Sequence, residues 1–197
     1  MRKQILNYIP EASTNYIIEI LNKENIQILV KKERKTKHGD FRVLKNGKCQ
    51  ITINSNLNPY RFLITLIHEI AHYRVYKIFE KKVKPHGKEW KDIFKYMMLP
   101  LLNPKVFPKN LIPYISAYIK NPKASTDTDF NLSLALRSFD IDKEKKYIFE
   151  MDMGSNFKIY NGRVFILEEK LRKRYKCKDI KTGKTYLFSP NAEIELV

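Results

Sequence analysis

The spacing of apolar residues along this chain changes several times, and each change marks an element. Tyr16, Ile17, Ile20 and Leu21 recur at helical spacing behind Ser13 or Thr14, either of which can cap a helix. The period then shortens. "IQILVKKERKT", "HGDFRVL" and "CQITINSNL" read as three strands, and in the last one Ile51 and Ile53 alternate with Gln50, Thr52 and Asn54. Gly39 and the Asn46-Gly47 pair are the expected turns. Asn58-Pro59 next predicts a helix start, with Asn as cap and Pro in the first turn, running to about Phe79. From Phe62 to Ala71 this helix is apolar on nearly every side, so its predicted place is the centre of the fold. After a basic loop, "EKKVKP", a second helix is expected to begin near His86-Gly87. Its buried face is marked by Trp90, Ile93, Phe94, Met97 and Met98.

Five prolines punctuate residues 100–122, with one short helical piece, "YISAYIK", between the last two. "NPKASTDTDFN" is polar and turn-rich and reads as a linker or a loosely held strap. Six short β-runs follow: "KYIFEMD", "FKIYNG", "RVFILE", "RYKCKDI", "KTYLFS" and "AEIELV", with hairpin turns at Asn161-Gly162 and Thr182-Gly183. The expected fold class is α+β. A small antiparallel sheet packs on a central helix and on a second helix, and a small all-β, SH3- or OB-like module follows. The expected division is 1–124 (core 10–100 and a Pro-rich strap 100–124), a linker at 125–142, and the β module at 143–197.

At 197 residues and 43% hydrophobic content the chain can bury a substantial core, which excludes a disordered protein. No run of 18 apolar residues is present, so no membrane partner is expected. The N-terminal "MRKQILNYIPEAS" is broken by Asn7, Pro10 and Glu11, which argues against a secretory signal. Cys49 and Cys177 stand far apart in sequence and read as reduced thiols without a disulfide partner. These features point to a cytoplasmic protein, open to nucleoid association.

Charge sharpens the picture. The net charge is +17, and residues 1–136 carry 24 Lys and Arg against 11 Asp and Glu. Such a field attracts polyanions, and DNA is the expected electrostatic partner, although a solvated lysine-rich surface accounts for the same count. Candidate contacts are Lys31, Lys32, Arg34 and Lys35, and, in the second half, Arg172, Lys173, Arg174 and Lys176. The run from Lys170 to Lys178 could contact phosphates, with Tyr175 and Tyr186 near enough to stack on an exposed base; the alternative is a strand edge guarded by lysines.

The central helix carries the candidate chemistry. His68, Glu69 and His72 form H-E-x-x-H, and residues four apart share a helix face, so both imidazoles can reach one ion. Two histidines leave zinc short of ligands, and His86 is the natural third. It follows a Lys84-Pro85 turn, and Gly87 beside it lets the backbone bend. Of four histidines, three fall between positions 68 and 86. Glu69 points beside the metal, where it could take a proton from a water that zinc has acidified. The competing reading is a pair of core histidines on a buried helix, with His86 a solvent-facing residue at a helix start. One Zn2+ per chain, open for hydrolysis, is the expectation.

"HEIAH" at 68–72 followed by "HGKEW" at 86–90 resembles the SprT-like zinc metalloproteases, the family that includes Spartan. The upstream "ITINSNL" and "FLITLIHEIAHY" are similar to the family's segment before its motif, and the likeness covers about residues 10–100. The resemblance implies zinc on His68, His72 and His86, Glu69 as catalytic base, and protein substrates bound or crosslinked to DNA. Many such proteins also carry a C-terminal zinc ribbon with paired cysteines. Here only Cys177 is present, so the alternative to an SH3- or OB-like module is a ribbon-like one without the cysteines, held by hairpin pairing.

Three functions stay open at this point: a zinc peptidase acting on proteins at DNA, a nucleic-acid-binding accessory protein of transcription or repair with a structural or vestigial zinc site, and a zinc hydrolase of another substrate. Glu69 favours the first, because a structural site gains nothing from a carboxylate beside an open position. Tyr73 and Tyr76 read as core residues or as an oxyanion donor, His38 as a turn residue, and Trp90 as an anchor of the second helix.

Overall fold

A computed structural model describes residues 2–80, 82–140 and 146–197, which form two compact units, residues 1–141 and 142–197. The close of the expected linker (141–142), the first three residues of the expected module and Lys81 lie outside the described residues.

The first unit begins with a short helix α1 (Arg2–Ile5) and helix α2 (Thr14–Lys23), whose Ile17, Ile20 and Leu21 are buried. Strands β1 (Ile26–Lys31), β2 (Gly39–Val43) and β3 (Cys49–Asn54) form a sheet in the order β1-β3-β2. β2 and β3 are an antiparallel hairpin through Gly47, whose φ of 76° is the left-handed turn conformation that glycine adopts freely. β1, however, pairs with β3 in parallel, Ile26 opposite Cys49 and Lys31 opposite Asn54. The sheet is therefore mixed rather than wholly antiparallel. The 32–38 segment returns the chain to the far side of β3, and alternation within each strand cannot reveal that crossing. Every residue of β3 is buried, its polar Gln50, Thr52 and Asn54 included.

Helix α3 (Pro59–Phe79) starts where expected, because the Asn58 side chain accepts from the Tyr60 and Arg61 N–H groups and Pro59 needs no partner in the first turn. It is buried almost continuously from Arg61 to Ala71. Helix α4 (Lys88–Met98) packs beside it through Trp90, Phe94, Met97 and Met98, and helix α5 (Ile112–Lys120) carries Pro113 in its first turn.

Residues 125–140 are no loose connection. They hold a 3-10 turn and helix α6 (Phe130–Arg137), fastened to α3 by polar contacts. Arg61, 5% exposed, donates to Asp127 at 2.7 Å and to the Ser133 carbonyl, while Asn58 donates to the Leu136 carbonyl and to Asp140. Local composition is that of a turn, but a buried guanidinium demands acceptors, and this segment supplies them.

The second unit contains β4 (Lys146–Tyr147), β5 (Asn156–Lys158), β6 (Val164–Lys170), β7 (Tyr175–Asp179), β8 (Thr185–Phe188) and β9 (Glu193–Leu196), all antiparallel in the order β4-β9-β5-β6-β7-β8. Gly162 and Gly183, at φ 81° and 68°, make the expected hairpin turns. Ile148, Phe157, Phe165, Leu167, Tyr175, Cys177 and Ile194 form its core. The chain is thus α+β with a C-terminal all-β unit. Among the described residues no helix is long and apolar enough to cross a membrane, and Cys49 and Cys177 are each free and buried.

Candidate metal centre

The α3 helix places His68 and His72 one turn apart on a single face, and His86 reaches them from the segment that precedes α4. The three Nε2 atoms converge, at 3.1 Å for His68–His86 and His68–His72 and 2.9 Å for His72–His86. Four ligands around zinc at ordinary Zn–N lengths place nitrogens about 3.3 Å apart, so this triangle fits such an ion closely. Among the described residues these three side chains are the His, Cys, Asp or Glu group able to hold a metal ion.

The electrostatics suit the same role. Burial, followed by the neighbouring His72 and His86, holds His68 down to about 2, and burial with His86 holds His72 down to about 4; burial also lowers His86. All three are neutral at pH 7, with lone pairs available to a cation. A cation among them would engage lone pairs that otherwise face one another or share a ring proton, according to tautomer.

His86 differs from expectation in one respect. Helix α4 begins at Lys88 with Gly87 as its N-cap residue, so His86 lies in the turn before the helix rather than on it. Its φ is 57°, and the Gly87 N–H closes on the Lys84 carbonyl at 2.9 Å. Pro85 at the second position and a positive φ at the third are the marks of a type II turn, where glycine or asparagine is usual. A histidine held there is strained, and such strain gathers at working sites. Gly87 matters through space: a Cβ on it would stand 2.9 Å from the Lys84 carbonyl oxygen.

Trp90 has a larger part than that of a helix anchor. Fully buried, its ring lies 4.5 Å from His68, 5.3 Å from His72 and 4.7 Å from His86, and it stacks on Phe94 at 5.1 Å. Its Nε1 donates to the His68 carbonyl at 3.4 Å. One indole floors all three imidazole rings. The signal in the sequence was its place in "HGKEW", one helical turn beyond His86.

Glu69, 7% exposed, lies on the sheet side of α3. Burial, then the nearby Asp40 carboxylate, pushes it up to about 8, against the Phe41 backbone N–H, Arg34 and Lys37, which favour its ionised form. Tyr73 belongs to the core: it is 2% exposed, burial raises its pKa, and its hydroxyl engages Glu24 and the Asn25 backbone. Tyr76 packs against Phe41 with ring centroids 5.8 Å apart. His38 does not join the site either; its Nε2 stands 3.3 Å from Asp127.

The basic candidates divide. Lys31, Lys32 and Lys35 are exposed, as are Arg172, Lys173 and Arg174 in the turn between β6 and β7. Arg34 is committed within the fold, to Asp40, Thr52 and Asn54. Lys176 is partly covered and 3.6 Å from Glu168. Neither tyrosine offers an open face for a base: Tyr175 is 4% exposed, and Arg163 covers Tyr186 at 4.5 Å from its centroid.

A sequence model of the SprT-like family matches residues 8–107, just over half of the chain and the whole span from α2 to the end of α4. A comparison with curated proteins finds no match. The matched span contains all three converging histidines and Glu69, and a metalloprotease-like role accords with that family. The chain belongs to the SprT-like family.

Proposed function

We propose that this protein is a zinc-dependent endopeptidase of SprT type, acting on proteins bound or crosslinked to DNA, with Glu69 as its general base. The observation that carries this reading is the convergence of three imidazole nitrogens, 2.9 to 3.1 Å apart, with Glu69 following His68 on the same helix. His68, His72 and His86 would hold the ion, one per chain, and three protein ligands leave room for substrate. When bound there, zinc supplies Lewis acidity, which makes water a nucleophile near neutral pH and polarises the scissile carbonyl. In its ionised form, which Arg34, Lys37 and a cation held by the three histidines all favour, Glu69 accepts the proton of the attacking water on a carboxylate oxygen and returns it to the leaving amine nitrogen. The Trp90 floor keeps the three rings in place and bulk water away from one side of them.

DNA as the setting rests on charge, on the +17 of the whole chain and on exposed Lys31, Lys32, Lys35, Arg172, Lys173 and Arg174. A protein that neutralises phosphates with these side chains binds DNA with affinity that falls steeply as salt rises.

The decisive variant is Glu69→Gln, assayed on a DNA-bound protein with and without DNA. It should retain one zinc per chain and the wild-type melting behaviour, while cleavage falls by about 100- to 10,000-fold. Cleavage at the wild-type rate would remove Glu69 from the mechanism. Absence of zinc-dependent cleavage in the wild type, with salt-sensitive DNA binding intact, would favour the accessory-protein reading.

A further inference from the structure

Glu69 lies against Gly39 at the start of β2, an edge strand of the sheet. β2 pairs only with β3 among the described residues, Asp40 opposite Thr52 and Arg42 opposite Gln50. At its two ends the Asn54 N–H donates to the His38 carbonyl and the Leu44 N–H to the Lys48 carbonyl. The even-numbered residues therefore turn their polar groups toward β3. Because these groups alternate sides along an antiparallel strand, Gly39, Phe41 and Val43 turn theirs the other way. On that side Glu69 lies against Gly39, and the Phe41 N–H favours the ionised form of its carboxyl.

Gly39 makes this approach feasible. A Cβ on it would stand 2.8 Å from Thr65 Cγ2 and 3.0 Å from both Cγ and Oε1 of Glu69. Its φ is not positive, so this glycine is not required by a turn, contrary to the turn expected at this position. It is required by space. Across β2 the polar cluster of Arg34 fixes the strand's position. Arg34 donates to Asn54 Oδ1 and Thr52 Oγ1, both at 2.8 Å, and pairs with Asp40, which also accepts from Thr52. Asn54 in turn donates to the Lys37 carbonyl at 2.8 Å, closing the 32–38 segment onto β3.

We propose that the Gly39–Phe41 segment is the positioning element of Glu69. The Phe41 N–H orients the carboxylate, the missing side chain at Gly39 leaves it room, and the Arg34–Asp40–Thr52 cluster sets the segment's distance from α3. This rests on the reading of Glu69 as the base. A base free to rotate reaches the proton it must take only part of the time, so fixing its rotamer raises the rate of the chemical step without a change in substrate binding.

Phe41→Pro tests the contact directly. Proline removes an N–H that is outside the β2–β3 ladder, and proline is tolerated on a strand edge in that orientation. Phe41→Ala is its partner, losing the same ring contacts with Tyr73 and Tyr76 but keeping the N–H. Val43→Pro places proline at the next outward-facing position and should behave as wild type. With zinc stoichiometry and folding matched, Phe41→Pro should lose about 10- to 100-fold in kcat relative to Phe41→Ala, the rate equivalent of a hydrogen bond to a charged group, with KM unchanged. Gly39→Ala should also lower kcat. Adding Thr65→Ser removes the Cγ2 methyl and should recover stability without recovering kcat, because the clash with Glu69 stays. Independently of activity, the Phe41 amide of zinc-free protein should exchange with solvent about tenfold faster in Glu69→Ala than in wild type. Equal kcat in Phe41→Pro and Phe41→Ala, full kcat recovery in Gly39→Ala/Thr65→Ser, or unchanged exchange overturns the positioning role while leaving Glu69 as base. Full activity in Glu69→Gln overturns both.

Discussion

Truncating Trp90 separates a cage that supports three ligands from a helix anchor that merely lies nearby. The indole is fully buried, and it touches His68, His72, His86 and Phe94 at centroid distances of 4.5, 5.3, 4.7 and 5.1 Å. A buried tryptophan removes about 200 Å² from water, which at about 25 cal/mol per Å² is about 5 kcal/mol. The denatured chain already buries part of that area, which brings the expected loss for Trp90→Ala to about 4 kcal/mol, within the usual range for such truncations. That is a large part of a domain's total stability, so the assay needs a milder companion. Trp90→Phe keeps an aromatic floor but loses the Nε1 bond to the His68 carbonyl, long at 3.4 Å, and should cost about 1 to 2 kcal/mol. Stability is measured by chemical denaturation of zinc-free protein, since bound metal would add its own linkage term. Zinc affinity is measured separately, by competition with a chelator, on whichever variants fold. Loss of an outer support of metal ligands lowers affinity by about 10- to 100-fold, and Trp90→Phe should fall at the lower end. Trp90→Ala folding within about 1 kcal/mol of wild type with unchanged zinc affinity would refute the cage.

Three further outcomes follow from individual residues. His86→Gly and His86→Ala should both lose zinc, but at φ 57° only glycine relieves the backbone, so zinc-free His86→Gly should be about 1 kcal/mol more stable than zinc-free His86→Ala in denaturation. Arg61→Met should cost about 2 kcal/mol, because its loss deprives Asp127 and the Ser133 carbonyl of a buried donor, and proteolysis should then cut first within 125–140. In the second unit, the Arg163 guanidinium, then the Thr182 N–H, holds the Asp179 carboxyl below the usual carboxylate range. The unfolded chain binds that proton more readily than the folded one, so the stability from this group is complete above about pH 4 and declines as pH falls through the lowered value. Melting of the C-terminal unit, followed by amide NMR signals of Phe165 and Cys177, should show this acid loss in wild type and a weaker one in Arg163→Ala.

Much of the site was readable from residue order because its signals are local. Helical spacing, the Asn58-Pro59 start and the four-residue interval between His68 and His72 are properties of one helix, and α3 runs from Pro59 to Phe79 as its pattern required. The nomination of His86 crossed a short gap, so it too was within reach, and so were the six strands of the second unit, where turn glycines punctuate short alternating runs. Contacts across the fold decided the rest. Periodicity does not say which strand pairs with which, so the parallel β1–β3 ladder appears only when the 32–38 segment is closed by Arg34 and Asn54. Arg34 carries the same charge as the exposed lysines around it, and only its neighbours reveal that it is engaged inside. Gly39 looked like a turn residue because glycine is common there, whereas its reason is two side chains of α3, Thr65 and Glu69, far along the chain. A residue's type limits what chemistry it can perform; which atoms come within 3 Å of it is settled by packing between segments distant in sequence.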